Sequence, residues 1–144
     1  MRLLLPILLF LAFSVQAQSG PATVHDYGQS CHGAQLVSAL VKIGRDHHVA
    51  VNNVNATVCV LVIGAEALFL PAPHFPNHGC MIHAFPISEA HVHVFASANG
   101  RADINLGPVP NDPALIGTKI YMQATGNDNP GPSWSQGVEA MIGG

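Results

Sequence analysis

Residues 47–63 read HHVAVNNVNATVCVLVI, which is two apolar runs separated by asparagines. The first run, His47 to Val54, and the second, Thr57 to Ile63, are both rich in valine. Runs of this kind, with turn residues such as Asn52-Asn53 beside them, are typical of β-strands. In the remaining sequence no apolar pattern of helical period continues beyond about two turns, and the one weak example is at 34–41. The stretch therefore predicts two successive strands of an all-β fold.

The sequence after these two runs repeats the pattern of short strands and turns. Candidate strands lie at Met81 to Phe85, His91 to Ala96, Ala102 to Leu106, Lys119 to Ala124 and Gly137 to Ile142. Asn99-Gly100 is the strongest hairpin signal, and the Pro-rich stretch Pro71 to Pro76 predicts a surface loop. Seven strands spaced in this way predict a single antiparallel β-sandwich, either Ig-like or jelly-roll-like.

The N-terminus has the three parts of a secretory signal peptide. Arg2 gives the positive region, Leu3 to Phe13 the apolar region, and Val15-Gln16-Ala17 the small-residue cleavage site. The apolar run is shorter than the roughly 20 residues that a membrane-spanning helix needs. We therefore expect a signal peptide at 1–17 and a mature chain at 18–144, which forms one domain without a membrane span. The expected location is the periplasm or the exterior of a bacterial cell.

The composition argues against one class of partner. Only 9% of the 144 residues are charged and the formal net charge is −3, whereas an average domain is roughly 25% charged. Binding to nucleic acid needs clustered basic residues. The basic residues after the signal peptide, Lys42, Arg45, Arg101 and Lys119, are scattered. The sequence therefore predicts no nucleic-acid partner.

Three cysteines are present, and their contexts differ. Cys31 and Cys80 lie in glycine-flanked, turn-like segments, whereas Cys59 lies inside an apolar run. An oxidising compartment favours disulfides, so we expect Cys31 to pair with Cys80. Closing a loop of this length stabilises the fold by roughly 4 kcal/mol in the chain-entropy model. Cys59 is expected to be a buried thiol that fills space in a strand.

Histidine is unusually frequent, with nine in the chain. His91 and His93 are two apart, so both imidazoles point to one face of a strand. His83, on the preceding candidate strand, joins them if residues 81–96 form a hairpin. This arrangement predicts a divalent metal site of zinc or copper rather than calcium. The alternative is that the histidines are a neutral polar surface in a charge-poor protein.

Two functions of different class follow from these features. The first is a secreted, non-catalytic β-sandwich module that associates with a surface or matrix, or binds an extracellular ligand. The second is a metal-dependent secreted hydrolase of small esters or lactones. In the second, the three histidines hold a metal that activates water, and Glu89 or Asp103 is the general base.

Most of the mature chain carries a resemblance to a known group of proteins, and the pattern begins at Tyr27-Gly28 and Cys31 and passes through Ile43-Gly44, Leu61-Val62-Ile63-Gly64 and Gly79-Cys80. Residues 110–123 read PNDPALIGTKIYMQ, and residues 135–143 read SQGVEAMIG. These segments resemble the small secreted β-sandwich modules of planctomycete- and myxobacterium-like bacteria, although Gln136 stands where an asparagine is usual. The resemblance implies the sandwich fold, supports the Cys31–Cys80 pairing and carries over no catalytic residue. In the first segment, Gln123 is expected to bond backbone groups of a loop if it is buried.

Overall fold

The computed structural model describes residues 19–54, 56–71, 80–86, 88, 91–127 and 131–144. The predicted signal peptide and most of the Pro-rich stretch lie outside these residues. The described chain forms eleven strands: β1 (Thr23–Tyr27), β2 (Gln35–Ser38), β3 (Asp46–Asn52), β4 (Val58–Gly64), β5 (Ala67–Pro71), β6 (Met81–Ala84), β7 (Val92–Ala96), β8 (Arg101–Pro108), β9 (Lys119–Asn127), β10 (Pro132–Trp134) and β11 (Gly137–Met141). One short 3₁₀ turn, Pro113–Leu115, precedes β9. Among these residues no helix has the length and apolar character to cross a bilayer.

Nine of the eleven strands form two antiparallel sheets that pack face to face, which confirms the predicted sandwich. The larger sheet has the order β1-β11-β9-β4-β7, with the short β10 paired to β9. The second sheet has the order β2-β3-β8. Strands β5 and β6 pair only with each other, as a separate hairpin.

The core lies between the two sheets. One side of each strand is buried, as period-two alternation requires. The larger sheet contributes side chains such as Leu61, Met122 and Val138, and the second sheet contributes Leu36 and Val51, all less than 2% exposed. Full burial of each valine or leucine stabilises the fold by about 1.5–3 kcal/mol, so this layer determines the register of both sheets.

All seven predicted strands are present, within a few residues at each end. Four further strands, β1, β2, β5 and β10, were not predicted. In β2 the helical pattern at 34–41 is overridden by pairing with β3, which places Leu36 opposite Val51. Both side chains are buried in the core, so tertiary packing outweighs the weak local pattern.

The turn at Asn99-Gly100 has the predicted conformation but a different role. Both residues have positive φ, 53° and 77°, and Ala98 and Arg101 exchange two backbone hydrogen bonds around them. This geometry is that of a tight two-residue turn. The predicted hairpin, however, does not continue, because β7 belongs to the larger sheet and β8 to the second sheet. The turn carries the chain from one sheet to the other.

The disulfide Cys31–Cys80 is confirmed, with a Cα–Cα distance of 5.2 Å. It joins the segment after β1 to the residue before β6, so it fastens the β5–β6 hairpin to the sandwich. Trp134 of β10 and Ile82 of β6 pack against it. Cys59 is buried in the core on β4, as expected.

The face of the larger sheet that points away from the core, here called the outer face, has two unlike halves. At one end Lys119 and Glu139 form an ion pair of 2.8 Å. At the other end, β4 and β7 carry a row of valines, here called the valine strip: Val58, Val60, Val62, Val92 and Val94. The β5–β6 hairpin lies over the region between them, where the carbonyl of Phe85 would collide with any Cβ at Gly64.

Candidate functional site

The structure separates the three histidines of the predicted metal site. His83 is on β6, which pairs with β5, whereas His93 is on β7, which pairs with β4. His91 immediately precedes β7, and its Nδ1 lies 2.8 Å from Ser88 Oγ. The hairpin between residues 81 and 96 on which the metal prediction depended is therefore wrong. Within the described ranges no group of three or more His, Cys, Asp or Glu side chains is placed to hold a metal.

The unpredicted strand β5 explains this difference. Residues 67–70 read ALFL, an apolar run without alternation that ends at Pro71, so no period-two pattern marks them as a strand. In the structure Leu70 pairs with Ile82 and Pro71 with Met81. Strand β6 thus pairs with β5, whereas β7 pairs with β4. Binding of a divalent metal, zinc or copper, stays a prediction.

Of the two carboxylates predicted as candidate general bases, Glu89 and Asp103, the structure describes only one. Glu89 lies outside the described residues. Asp103 is exposed on β8, and both its oxygens accept hydrogen bonds from Arg101, at 2.5 and 2.8 Å. The Arg101 hydrogen bonds hold the pKa of Asp103 below its ordinary value, which makes this carboxylate a weaker base. No imidazole is bonded to it in the described structure, so it forms no acid–base pair there.

Gln123 of β9 anchors the β5–β6 hairpin to the outer face. Its side chain is 2% exposed. Its Oε1 accepts a hydrogen bond from the backbone N–H of His83 at 2.8 Å, and its Nε2 donates to the carbonyls of Met81 and Ser135 at 2.8 and 3.0 Å. Gln123 therefore satisfies the predicted loop backbone at Ser135, between β10 and β11, and also the backbone of strand β6 at Met81 and His83, which was not predicted. The amide serves β6 as a short neighbouring strand would.

Four aromatic rings surround the anchor. Tyr27 contacts Phe69, His83 and Tyr121 edge to face, with centroids 5.6 to 6.0 Å apart. Its hydroxyl donates a hydrogen bond to the carbonyl of His83. Burial, with smaller contributions from Tyr121 and Glu139, raises the pKa of Tyr27 to about 12. Edge-to-face aromatic pairs stabilise by about 0.5–1.5 kcal/mol each, so the rings fix the hairpin on β1 and β9.

The imidazole of His83 is sealed inside this cluster. Its residue is 1% exposed, and its Nε2 lies 3.1 Å from the carbonyl of Gln29. Because a carbonyl only accepts, Nε2 is the protonated nitrogen of this bond. Nδ1 is buried and has no hydrogen-bond partner within the described structure. A ring enclosed in this way cannot reach a ligand on the surface, so His83 is a structural residue of the cluster.

Beside the cluster the surface opens into an apolar groove. It has a volume of about 390 Å³ and is lined by Ala65, Glu66, Leu68, Leu70, Phe85 and Pro86. Leu70 is 52% and Phe85 64% exposed. Large side chains of this kind are normally covered, and their exposure together at one concave site is typical of a binding surface.

A local sequence pattern, large apolar residues directly before a proline, marks the two segments that line this groove. Leu68-Phe69-Leu70-Pro71 and Phe85-Pro86 both place large apolar residues directly before a proline. A proline at the end of a strand limits further pairing, so apolar residues beside it are candidates for exposure. The pattern alone does not show that the two segments meet, because that depends on the pairing of β5 with β6.

Comparison of the chain with protein-family models, with curated proteins and with solved structures finds no match. The resemblance to small secreted bacterial modules accordingly stays a prediction. The groove and the valine strip are therefore interpreted from their own geometry and chemistry.

Proposed function

We propose that the protein is a secreted, non-catalytic binding module that attaches to an extracellular matrix or a cell surface through the apolar groove. The observation that carries this proposal is the joint exposure of Leu70 and Phe85 in one concave site. Burying exposed apolar surface contributes roughly 25 cal/mol per Å². A groove of this size takes one acyl chain or aromatic group of a surface polymer.

The rim of the groove adds a preference for one chemical class of ligand. Among the described residues that line the groove, Glu66 is the one that is ionisable, so this part of the lining combines an apolar floor with a carboxylate. Such a site favours an apolar group that carries a cationic or hydrogen-bond-donating substituent. The disulfide supports extracellular placement, because disulfides persist in oxidising compartments.

Two observations support the non-catalytic part of the proposal. The buried imidazole of His83 is closed off from the groove surface by its own burial. Asp103 is held in an ion pair with Arg101 on β8 of the second sheet, away from the groove lining. A general base needs to reach the reacting proton within hydrogen-bond distance, and neither group meets this condition at the groove.

The experiment measures binding of Nile red, an uncharged apolar dye, to the purified mature chain by fluorescence titration. The test variant replaces Leu70 and Phe85 with serine. The matched control replaces Val37 and Leu40 with serine, because these side chains are similarly exposed, at 52% and 53%, and lie outside the groove. We expect the groove variant to bind the dye at least about fivefold more weakly and the control to bind as the parent does.

Equal loss in both variants would mean that the dye samples exposed apolar surface in general, and the proposal would then fail. Circular dichroism of each variant verifies folding, since the replaced side chains are exposed and contribute little to the core. Retention of full dye binding by the groove variant also contradicts the proposal.

A further inference from the structure

Strand β7 is an edge of the larger sheet to which no further strand of the described residues pairs, whereas the β1, β8 and β2 edges are closed by recognisable devices. The β1 edge carries the exposed charge of Asp26, and the β8 edge carries the Arg101–Asp103 ion pair. Charges at an edge disfavour pairing with another strand. By contrast β7 reads VHVFA, with no charged carboxylate, lysine, proline or bulge.

The β2 edge is closed in a more specific way. Gln136 donates from Nε2 to the carbonyl of Leu36 at 2.8 Å, and its Oε1 accepts from the Leu36 N–H at 3.2 Å. The side chain of Gln136 thus bonds both the N–H and the C=O of Leu36 in the four-residue strand β2. Gln123 does the same for β6 through Met81 and His83. Among the described residues, no glutamine or other side chain forms a hydrogen bond with the backbone of β7.

The pairing of β7 with β4 determines which backbone groups of β7 face outward. Ser97 donates to the carbonyl of Thr57, and the register places Phe95 opposite Cys59 and His93 opposite Leu61. In an antiparallel pair the hydrogen-bonded positions alternate. The N–H and C=O groups of Val92, Val94 and Ala96 therefore point away from β4, along the open edge.

We infer that β7 pairs antiparallel with β7 of a second copy of this chain, with Val94 on the two-fold axis. In this register Val94 faces Val94 of the second copy, and Val92 faces Ala96. The outward groups of these three residues then form six backbone hydrogen bonds. The interface is isologous, as a two-fold axis requires, and the two larger sheets become one continuous sheet.

The side chains on the outer face favour the same partner. Val94 is 66% and Val92 37% exposed, and a two-fold axis perpendicular to the sheet keeps both outer faces on one side. The two valine strips then join across the axis without placing charge against charge. A foreign acidic or basic peptide gains no complementary charge at this edge, whereas a second copy supplies a matching apolar strip.

Sedimentation equilibrium of the mature chain, from roughly 1 µM to 100 µM, tests the inference. We expect the mass to rise from monomer toward dimer with concentration, and the Val94→Lys variant to associate at least about tenfold more weakly. Val37→Lys is the matched control, because Val37 is also an exposed strand valine, at 52%. A parent chain that stays monomeric throughout, or equal weakening in both variants, overturns the inference.

Cysteine cross-linking tests the register and does not depend on a destabilising substitution. Directly paired residues are about 5.5 Å apart between Cα atoms, which suits a disulfide. We expect the Val94→Cys variant to form a covalent dimer on oxidation, and a mixture of Val92→Cys and Ala96→Cys variants to cross-link with each other. The Val92→Cys variant alone should not, because its two copies lie about 14 Å apart. Cross-linking without this pattern contradicts the proposed register.

Loss of dye binding in the Leu70/Phe85 double variant leaves the dimer prediction untouched, and the Val94→Lys variant leaves the groove intact. The two proposals therefore fail separately. If both hold, the two-fold axis places both apolar grooves on the same side of the dimer, which raises attachment to a repetitive surface through avidity.

Discussion

Strand β6 lies against the outer face of the larger sheet and β7 forms an edge of that sheet, and the backbone groups along these two strands are satisfied in opposite ways. The edge of β6 receives the buried amide of Gln123, whereas the edge of β7 receives no such group from the described residues. Gln123 makes three hydrogen bonds inside the protein, and an exposed strand edge makes them with water or with a partner. One side chain can therefore decide whether a strand edge is part of the interior or a surface for association.

The difference extends to the side chains around each edge. Tyr27, Phe69 and His83 pack around the Gln123 anchor, so the middle of the outer face is covered. Within the part of the chain that the structure describes, the valine strip at the β4–β7 end has no such cover, and Val94 is its most exposed member. Polar anchoring and aromatic packing therefore act together to hold the hairpin.

The largest effect is expected from Gln123→Leu. Replacing the amide leaves the His83 N–H and the carbonyls of Met81 and Ser135 without their partners, all three of which Gln123 now satisfies. Unsatisfied buried groups cost about 1–3 kcal/mol each. We expect the free energy of unfolding, measured by urea titration, to fall by roughly 3–5 kcal/mol.

Gln136→Leu is the matched control for this change. It also removes a glutamine that bonds strand backbone, but its two bonds to Leu36 are only partly buried. Water can replace them, so we expect a loss of about 1–2 kcal/mol. A loss at Gln136 that equals or exceeds the loss at Gln123 would show that burial of the anchor is not what matters.

A smaller effect is expected from Gly28→Ala. Gly28 has φ of +67°, and a Cβ there would overlap the ring of His83. Gly33 is the matched control, because its φ is +78° but no atom lies within 4 Å of the added Cβ. The left-handed conformation alone costs roughly 1–2 kcal/mol for alanine.

We expect Gly33→Ala to lose only that conformational cost and Gly28→Ala to lose about 2 kcal/mol more, as the imidazole is displaced. Thermal unfolding of both variants measures the difference. Near-equal melting temperatures would mean that the His83 ring moves aside freely, so the aromatic cluster would not be closely packed around it.

Local signals made much of this architecture predictable. Period-two runs marked seven strands, and the glycine contexts of Cys31 and Cys80 marked the disulfide, because each signal lies within a few neighbouring residues. Pairing order is different, since it depends on which distant strands bury surface together. The ALFL run of β5 has no alternation, so the true partner of β6 could not be read from the sequence.

The same dependence on long-range strand pairing explains why the predicted grouping of three histidines differs from the structure. His83, His91 and His93 were grouped on the assumption that β6 and β7 pair, but β6 pairs with β5 and β7 pairs with β4. For Gln123, bonding to backbone groups was predicted on the condition that the side chain is buried, and its place on the amphipathic strand β9 did not decide the burial. Its actual partners, Met81 and His83, are 42 and 40 residues away, and no local pattern identifies them. The groove depends on the same long-range pairing.

The smallest effect concerns Tyr27, whose hydroxyl donates to His83 within the cluster. Its pKa in the folded protein is about 12, above its ordinary value of 10.0. Between these values the unfolded chain loses the proton and the folded chain keeps it, so stability is fully present below pH 10 and falls as the pH rises toward 12. We expect Tyr27→Phe to lose about 1 kcal/mol near neutral pH and to show a shallower alkaline decline in the urea midpoint.

The Tyr121→Phe variant isolates this ionisation spectroscopically. The chain has two tyrosines, so the tyrosinate absorbance of that variant reports Tyr27 alone. Since burial is the largest cause of the raised pKa and Tyr121 only the second, the titration should remain well above pH 10. A midpoint at the ordinary value would show that Tyr27 is open to water. The hairpin would then be held by Gln123 and the disulfide without a sealed aromatic cluster, and the covered middle of the outer face would resemble the valine strip more closely.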